Sequence, residues 1–145
     1  MSDHIGQWCV FLPCSSNELW ALPQNCVAEI VTVPAEGDSP PGEITWRRQV
    51  VPVLDLQEED ERPWSETHGL IAVVLGLQGE GCDYWGVALR GRGLGMMDIA
   101  AEEVEDSPHL ARERSVGAFR MAGSVYQIPD LLALQRAITA GHATA

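Results

Sequence analysis

Gly42-Glu43-Ile44-Thr45-Trp46-Arg47-Arg48-Gln49-Val50-Val51-Pro52-Val53-Leu54-Asp55-Leu56 is the stretch on which the fold reading turns. Two apolar runs flank a polar Arg47-Arg48-Gln49 corner. Ile44 and Trp46 alternate with polar neighbours, and Val50, Val51, Val53, Leu54 and Leu56 follow with a β-branched bias. The pattern predicts strand, tight turn, strand. Pro52 carries no backbone donor, so its strand is expected to be an edge there, or irregular. Asp55 sits in an apolar run where an unpaired carboxylate would be costly to bury. It is expected to cap a turn or lie at a rim.

Outward from that hairpin, strands are expected at Trp8–Leu12 and Glu18–Pro23, joined as a hairpin. Cys26–Val31 reads equally as a short helix or an extended crossing, because six residues are too few for periodicity to decide. Pro34 to Pro41 is a loop. Leu70–Leu75 and Tyr84–Leu89 are strands on either side of a Gln78–Gly81 turn. Met97 to Val104 is a short helix or strand, and Glu105 to Ser115 a polar loop. Gly117–Met121 and Ser124–Ile128 form a hairpin about Ala122-Gly123. Pro129 is expected to open a C-terminal helix with Asp130 near its positive end, Leu131, Leu134 and Ile138 as its apolar stripe, and Gly141 at its close.

The two halves echo one another. Gly42, Val50, Val53, Asp55 and Leu56 match Gly117, Val125, Ile128, Asp130 and Leu131 at one constant offset. Glu18-Leu19-Trp20-Ala21 resembles Asp83-Tyr84-Trp85-Gly86, and Ala28-Glu29 resembles Ala101-Glu102. Three similar segments in the same order point to a repeat. An all-β architecture follows: two similar barrels of about five strands each, packed together. Each alone buries little, so the interface between them should belong to the core.

Composition narrows the function. The chain has 145 residues, with 9 positive against 21 negative side chains and a net charge of -12. Nucleic-acid phosphates and anionic membrane surfaces call for the opposite sign. The N-terminus has no basic start followed by a long apolar run, and the longest apolar runs are too short to span a bilayer. Cys9, Cys14, Cys26 and Cys82 form no C-x-x-C pair and read as reduced thiols of a cytoplasmic protein. His4, His68, His109 and His142 are scattered, and no serine or cysteine stands in a nucleophile context. Gly91-x-Gly93-x-Gly95 departs from the phosphate-binding glycine pattern and reads better as a hairpin loop. No enzyme, cofactor or resident metal is expected, although Cys9, Cys14 and Cys26 are the set from which a zinc site would be built.

Ala21-Leu22-Pro23, Val27-Ala28-Glu29-Ile30 and Gly42 to Leu56, taken in order, resemble the CheW-like family of chemotaxis coupling proteins. The resemblance covers most of the chain, strongly in the first half and weakly in the second. It implies an all-β fold of two SH3-like five-stranded barrels with a short C-terminal helix, forming a single domain over 7–140. It also implies a non-enzymatic scaffold whose partners are the regulatory domain of a CheA-type histidine kinase, a chemoreceptor cytoplasmic tip and other CheW-like proteins. Glu29 and Arg47 are implied to pair and to shape the receptor-contact region. An arginine can fork onto a carboxylate and orient two segments, while an exposed pair of this kind adds little stability.

The chain departs from the family pattern at three places. Arg48 stands where the family has glycine, the Thr32–Pro41 loop is atypical, and Arg90 stands where the family has an aspartate. These suit a divergent member, such as the auxiliary proteins of systems that control type IV pili and twitching motility. The partner-binding candidates are Glu29, Ile30, Val31, Arg47, Arg48, Val50, Val51, Val53 and Trp64. For the valines and isoleucine, core burial competes with surface contact. For Trp64 in the acidic Gln57–His68 segment, the alternative is a ring folded back on apolar surface. Trp20, Trp46 and Trp85 read as core, with their N–H groups bonded at the rim. The other function class is an acidic barrel that binds a small molecule, peptide or metal.

Overall fold

The computed structural model describes residues 8–15, 17–56, 61–77, 82–91, 94–99 and 103–143. Eleven strands lie among them: β1 (Trp8–Pro13), β2 (Leu19–Pro23), β3 (Val27–Thr32), β4 (Glu43–Trp46), β5 (Gln49–Leu54), β6 (Leu70–Leu75), β7 (Tyr84–Leu89), β8 (Gly95–Asp98), β9 (Glu105–Asp106), β10 (Ser115–Met121) and β11 (Ser124–Pro129). The helix α1 (Leu131–Ala143) follows. The strands form a six-stranded sheet, β8-β1-β2-β11-β10-β9, and a five-stranded sheet, β3-β6-β7-β5-β4. Both curl into half-barrels, so the all-β, two-barrel expectation holds.

The repeat does not map one half to one sheet. Hairpin β1–β2 leaves the rest of the first half and joins β10–β11 of the second. Hairpin β6–β7 crosses the other way to join β3, β4 and β5. The exchange is symmetric in detail. A parallel pair links β11 to β2 at Gln127 and Trp20, and another links β5 to β7 at Val53 and Gly86. Gly42 accepts from the N–H of Val53, and its repeat counterpart Gly117 pairs with Ile128, the counterpart of Val53.

Alternation within the strands divides the core. Phe11, Ala21, Phe119 and Met121 fill the first half-barrel. Trp46, Val51 and Val73, with Val53, Trp64, Ile71 and Ala88, fill the second. The largest cluster lies between them and includes Leu12, Trp20, Leu22, Val74, Trp85 and Val87, with Leu134 and Ile138 of α1. Trp20 and Trp85 meet edge to face at 6.4 Å between ring centroids. The interface is therefore core, as the small size of each half requires.

Several expectations need correction. Val27–Thr32 is a strand, preceded by one 3-10 turn at Gln24–Cys26. β5 lies inside its sheet, yet at Pro52 it is an edge as expected: Pro52 pairs with Glu43 of β4, and pairing with β7 begins only at Val53. The donor that Pro52 lacks therefore has no β7 partner to lose, while the Val53 N–H donates to the Gly42 carbonyl. Pro129 ends β11, and the helix starts after Asp130, whose Oδ1 accepts from the Ala133 N–H at 3.1 Å. Asp130 is thus the N-cap that relieves an orphan donor of the first turn. The helix runs past Gly141 to Ala143. Gln78–Gly81, Ala101-Glu102 and the Arg92-Gly93 part of the glycine-rich loop lie outside the described residues.

Candidate docking face at the β4–β5 hairpin

The open side of the second sheet has β3 and β4 as its edges. Side chains close that seam. The Trp46 indole N–H donates to Glu29 Oε1 at 3.1 Å, and Arg47 Nη2 lies 3.6 Å from the same oxygen. The Arg47 guanidinium carbon stands 4.4 Å from the centroid of the Trp46 ring. Tyr84 meets Trp46 edge to face at 4.8 Å and backs the ring from β7. One carboxylate oxygen therefore orients an indole and a guanidinium together. Glu29 and Arg47, distant in sequence, are brought into contact as expected. Both remain largely exposed, so the pair sets geometry more than stability.

The hairpin turn explains how the cations are displayed. Arg47 and Arg48 both have positive φ, at 48° and 67°. Two left-handed residues in a two-residue loop match the twist of the flanking strands. The counterpart turn in the first sheet is Ala122-Gly123, with φ of 50° and 82°. The backbone at Arg48 thus keeps the left-handed conformation that a glycine would adopt freely, and the arginine bears the strain. Val50, one residue past the turn, is 62% exposed.

The remaining candidates divide. Ile30 and Val31 are half-buried on β3: Ile30 leans on the core between the sheets, and Val31 on the interior of the second half-barrel. Val51 and Val53 are buried core residues and offer no surface. Trp64 is fully buried as well, which removes it as an exposed contact. The backbone of its 3-10 turn donates to the Gly37 and Asp38 carbonyls, and its indole N–H donates to Pro34 O at 3.2 Å. The atypical Thr32–Pro41 loop thus pins Trp64 inward against Val53, Ile71 and Ala88.

Sequence reasoning missed the strongest polar unit. Arg90 forks onto Asp55, with Nε to Oδ1 at 2.6 Å and Nη2 to Oδ2 at 3.0 Å. Its Nη1 donates to the Arg62 carbonyl at 2.7 Å. The Arg90 side chain has no exposed surface and that of Asp55 is 22% exposed. The hydrogen bonds that Arg90 donates to Asp55 raise its pKa and outweigh the opposing effect of burial. The signals were present: a carboxylate in an apolar run and an arginine at a position of the pattern where the family carries an acid. The rim around the fork opens into a cleft of about 520 Å³ whose lining includes Glu61, Arg62, Thr67, His68 and Arg90.

The tryptophan N–H groups are satisfied at two of three places. Trp20 donates to the buried Glu18 carboxylate at 2.6 Å, which also takes Arg112 Nη1 at 3.3 Å. The Trp85 N–H finds no acceptor among the described residues, against expectation. Burial raises the thiol pKa of Cys14 well above its ordinary value, with the Glu18 charge adding to the effect. Burial likewise raises Cys9 and Cys26. No group of three or more His, Cys, Asp or Glu among the described residues is arranged to hold a metal ion. No described helix is long and apolar enough to cross a membrane.

The chain is similar in structure to the scaffolding protein TtCheW from Thermoanaerobacter tengcongensis, with a TM-score of 0.57 over 88% of this chain and 90% of that one, at 18% identity. The fold is therefore CheW-like, carried by a strongly diverged sequence. Neither protein-family models nor curated protein sequences give a match.

Proposed function

We propose that this chain is a non-enzymatic adaptor that couples chemoreceptors to a CheA-type histidine kinase, in a chemotaxis or twitching-motility pathway. Residues 7–140 act as one unit of two pseudo-repeated half-barrels, and the molecule works in the cytoplasm by docking. The observation that carries this reading is the oriented Glu29–Trp46–Arg47 group at the seam of a CheW-like half-barrel. It is joined by the exposed Arg48 and Val50. A fixed guanidinium beside an exposed aliphatic residue suits a protein surface with a carboxylate next to an apolar patch. Glu29 carries this face onto β3, where the half-buried Ile30 and Val31 adjoin it.

Titration of the purified chain against a CheA regulatory domain and a receptor tip tests the reading. Saturable binding is expected, and Arg47→Glu should weaken it about tenfold or more, the range of a lost charge-assisted contact. The same substitution should leave the fold intact, because the Arg47–Glu29 pair is exposed. Absence of binding to either partner at tens of micromolar would sink the proposal.

A further inference from the structure

A curled sheet that does not close keeps edges, and an edge strand presents unpaired N–H and C=O groups to other chains. Among the described residues the two sheets leave four edges: β3 and β4 on one, β8 and β9 on the other. The first two are bridged to each other through Glu29, Trp46 and Arg47. β9 is the two-residue acidic strand Glu105–Asp106. β8 is different. Gly95, Met96 and Met97 are all exposed. Trp8, which pairs with Asp98 across the β1–β8 ladder, is 49% exposed. Of the eight large apolar side chains exposed among the described residues, four lie along this border: Trp8, Leu94, Met96 and Met97. Single exposed apolar residues are ordinary, but half of them gathered along one border of a sheet is not.

We infer that β8 is a self-association edge, pairing antiparallel with β8 of a second copy of this chain so that two six-stranded sheets become continuous. Symmetry and charge select the occupant. A two-fold axis joining two antiparallel edges passes through one residue pair, so that residue faces its own copy. An axis at Met97 sets Met97 against Met97 and Asp98 against Met96. An axis at Met96 sets Met96 against Met96 and Asp98 against Leu94. Neither register opposes two carboxylates. On β9 an axis through either residue sets a carboxylate against itself, which is destabilising. Among the edges of the first sheet, β8 alone is self-complementary, and the side chains it brings together are apolar.

The net charge of -12 on each copy opposes approach at long range. Salt screens that repulsion and leaves the apolar contact, so dimerisation should strengthen with ionic strength. The inference stands whether or not the adaptor reading holds.

Sedimentation velocity on the full chain, from roughly 5 to 200 µM at about 0.05 and 0.5 M NaCl, reads the mass-action shift directly. A monomer–dimer equilibrium is expected, tighter at the higher salt. Met96→Asp should weaken it about tenfold or more in either register, because it sets a carboxylate against Asp98 or against its own copy, and Met97→Asp should do so when the axis lies at Met97. Val116→Asp, exposed on β10, should weaken it far less. Circular dichroism shows whether each variant is folded, and the more exposed Met96 serves if the Met97 variant is not. A wild-type chain that stays monomeric throughout overturns the inference, and so does a dimer that tolerates Met96→Asp.

Discussion

Arg48 holds a φ of 67° in a position whose counterpart, Gly123, holds 82°. A side chain in this conformation costs roughly 1–2 kcal/mol, part of which glycine gives back through the entropy of the unfolded chain. Arg48→Gly should therefore stabilise the protein by up to about 1 kcal/mol, visible as a raised midpoint in urea. A lowered midpoint would mean that the exposed Arg48 side chain makes contacts worth more than the strain. Cys14 carries a different dependence. Its buried thiol has a raised pKa, so the neutral form is favoured by folding. That contribution is complete below the ordinary thiol value of about 8.5 and is lost as pH rises through the raised one. Melting curves should thus fall more steeply between about pH 8 and 10 for the wild type than for Cys14→Ala, and equal slopes would refute the assignment.

At the scale of elements, the loop around Trp64 and the strand ends bearing Asp55 and Arg90 form one device. The Arg90 fork is buried and every one of its nitrogens donates. Removing one member of such a pair leaves an uncompensated charge, at about 3–5 kcal/mol when both are buried. Asp55 is partly exposed, so Asp55→Ala should cost about 3 kcal/mol, read by chemical denaturation. Asp55→Leu combined with Arg90→Met should cost much less, since no charge is stranded. A double variant as unstable as the single one would mean the fork contributes more than charge compensation. Gln135 makes a related clamp from α1, its amide donating to the Leu77 carbonyl and accepting from the Leu77 N–H. Gln127 does the same between Leu110 and Arg112. Buried amides tie irregular backbone to regular elements in both sheets, which satisfies polar groups that would otherwise be costly.

At the scale of the molecule, exchange of the first hairpins means that neither half of the chain completes a sheet alone. β1–β2 needs β11, and β6–β7 needs both β3 and β5. The largest core cluster spans both sheets and α1. Unfolding should therefore be a single cooperative event, with tryptophan fluorescence and far-ultraviolet circular dichroism giving coincident transitions. Separate transitions by the two probes would contradict the shared core. A rigid core also holds the exposed β4–β5 hairpin in one orientation, which under the proposed adaptor role would lower the ordering cost of binding.

Periodicity two, turn residues and the internal echo sufficed for most strands, the hairpins and the twin-barrel class, because these follow from short-range alternation and steric limits on the backbone; they left β3 and β8 open between helix and strand and took β9 for loop. The family pattern alone marked Glu29 and Arg47, which do meet. Local signals could not say that Trp64, Val51 and Val53 are buried, since an apolar residue in a polar segment looks the same whether it faces solvent or a distant strand. They could not reveal the hairpin exchange, because both pairings satisfy the same alternation; burying Trp20 and Trp85 against each other requires the exchanged one. Nor could they join Asp55 to Arg90, which become partners only when β5 and β7 lie parallel and the low-dielectric interior leaves each charge no better company.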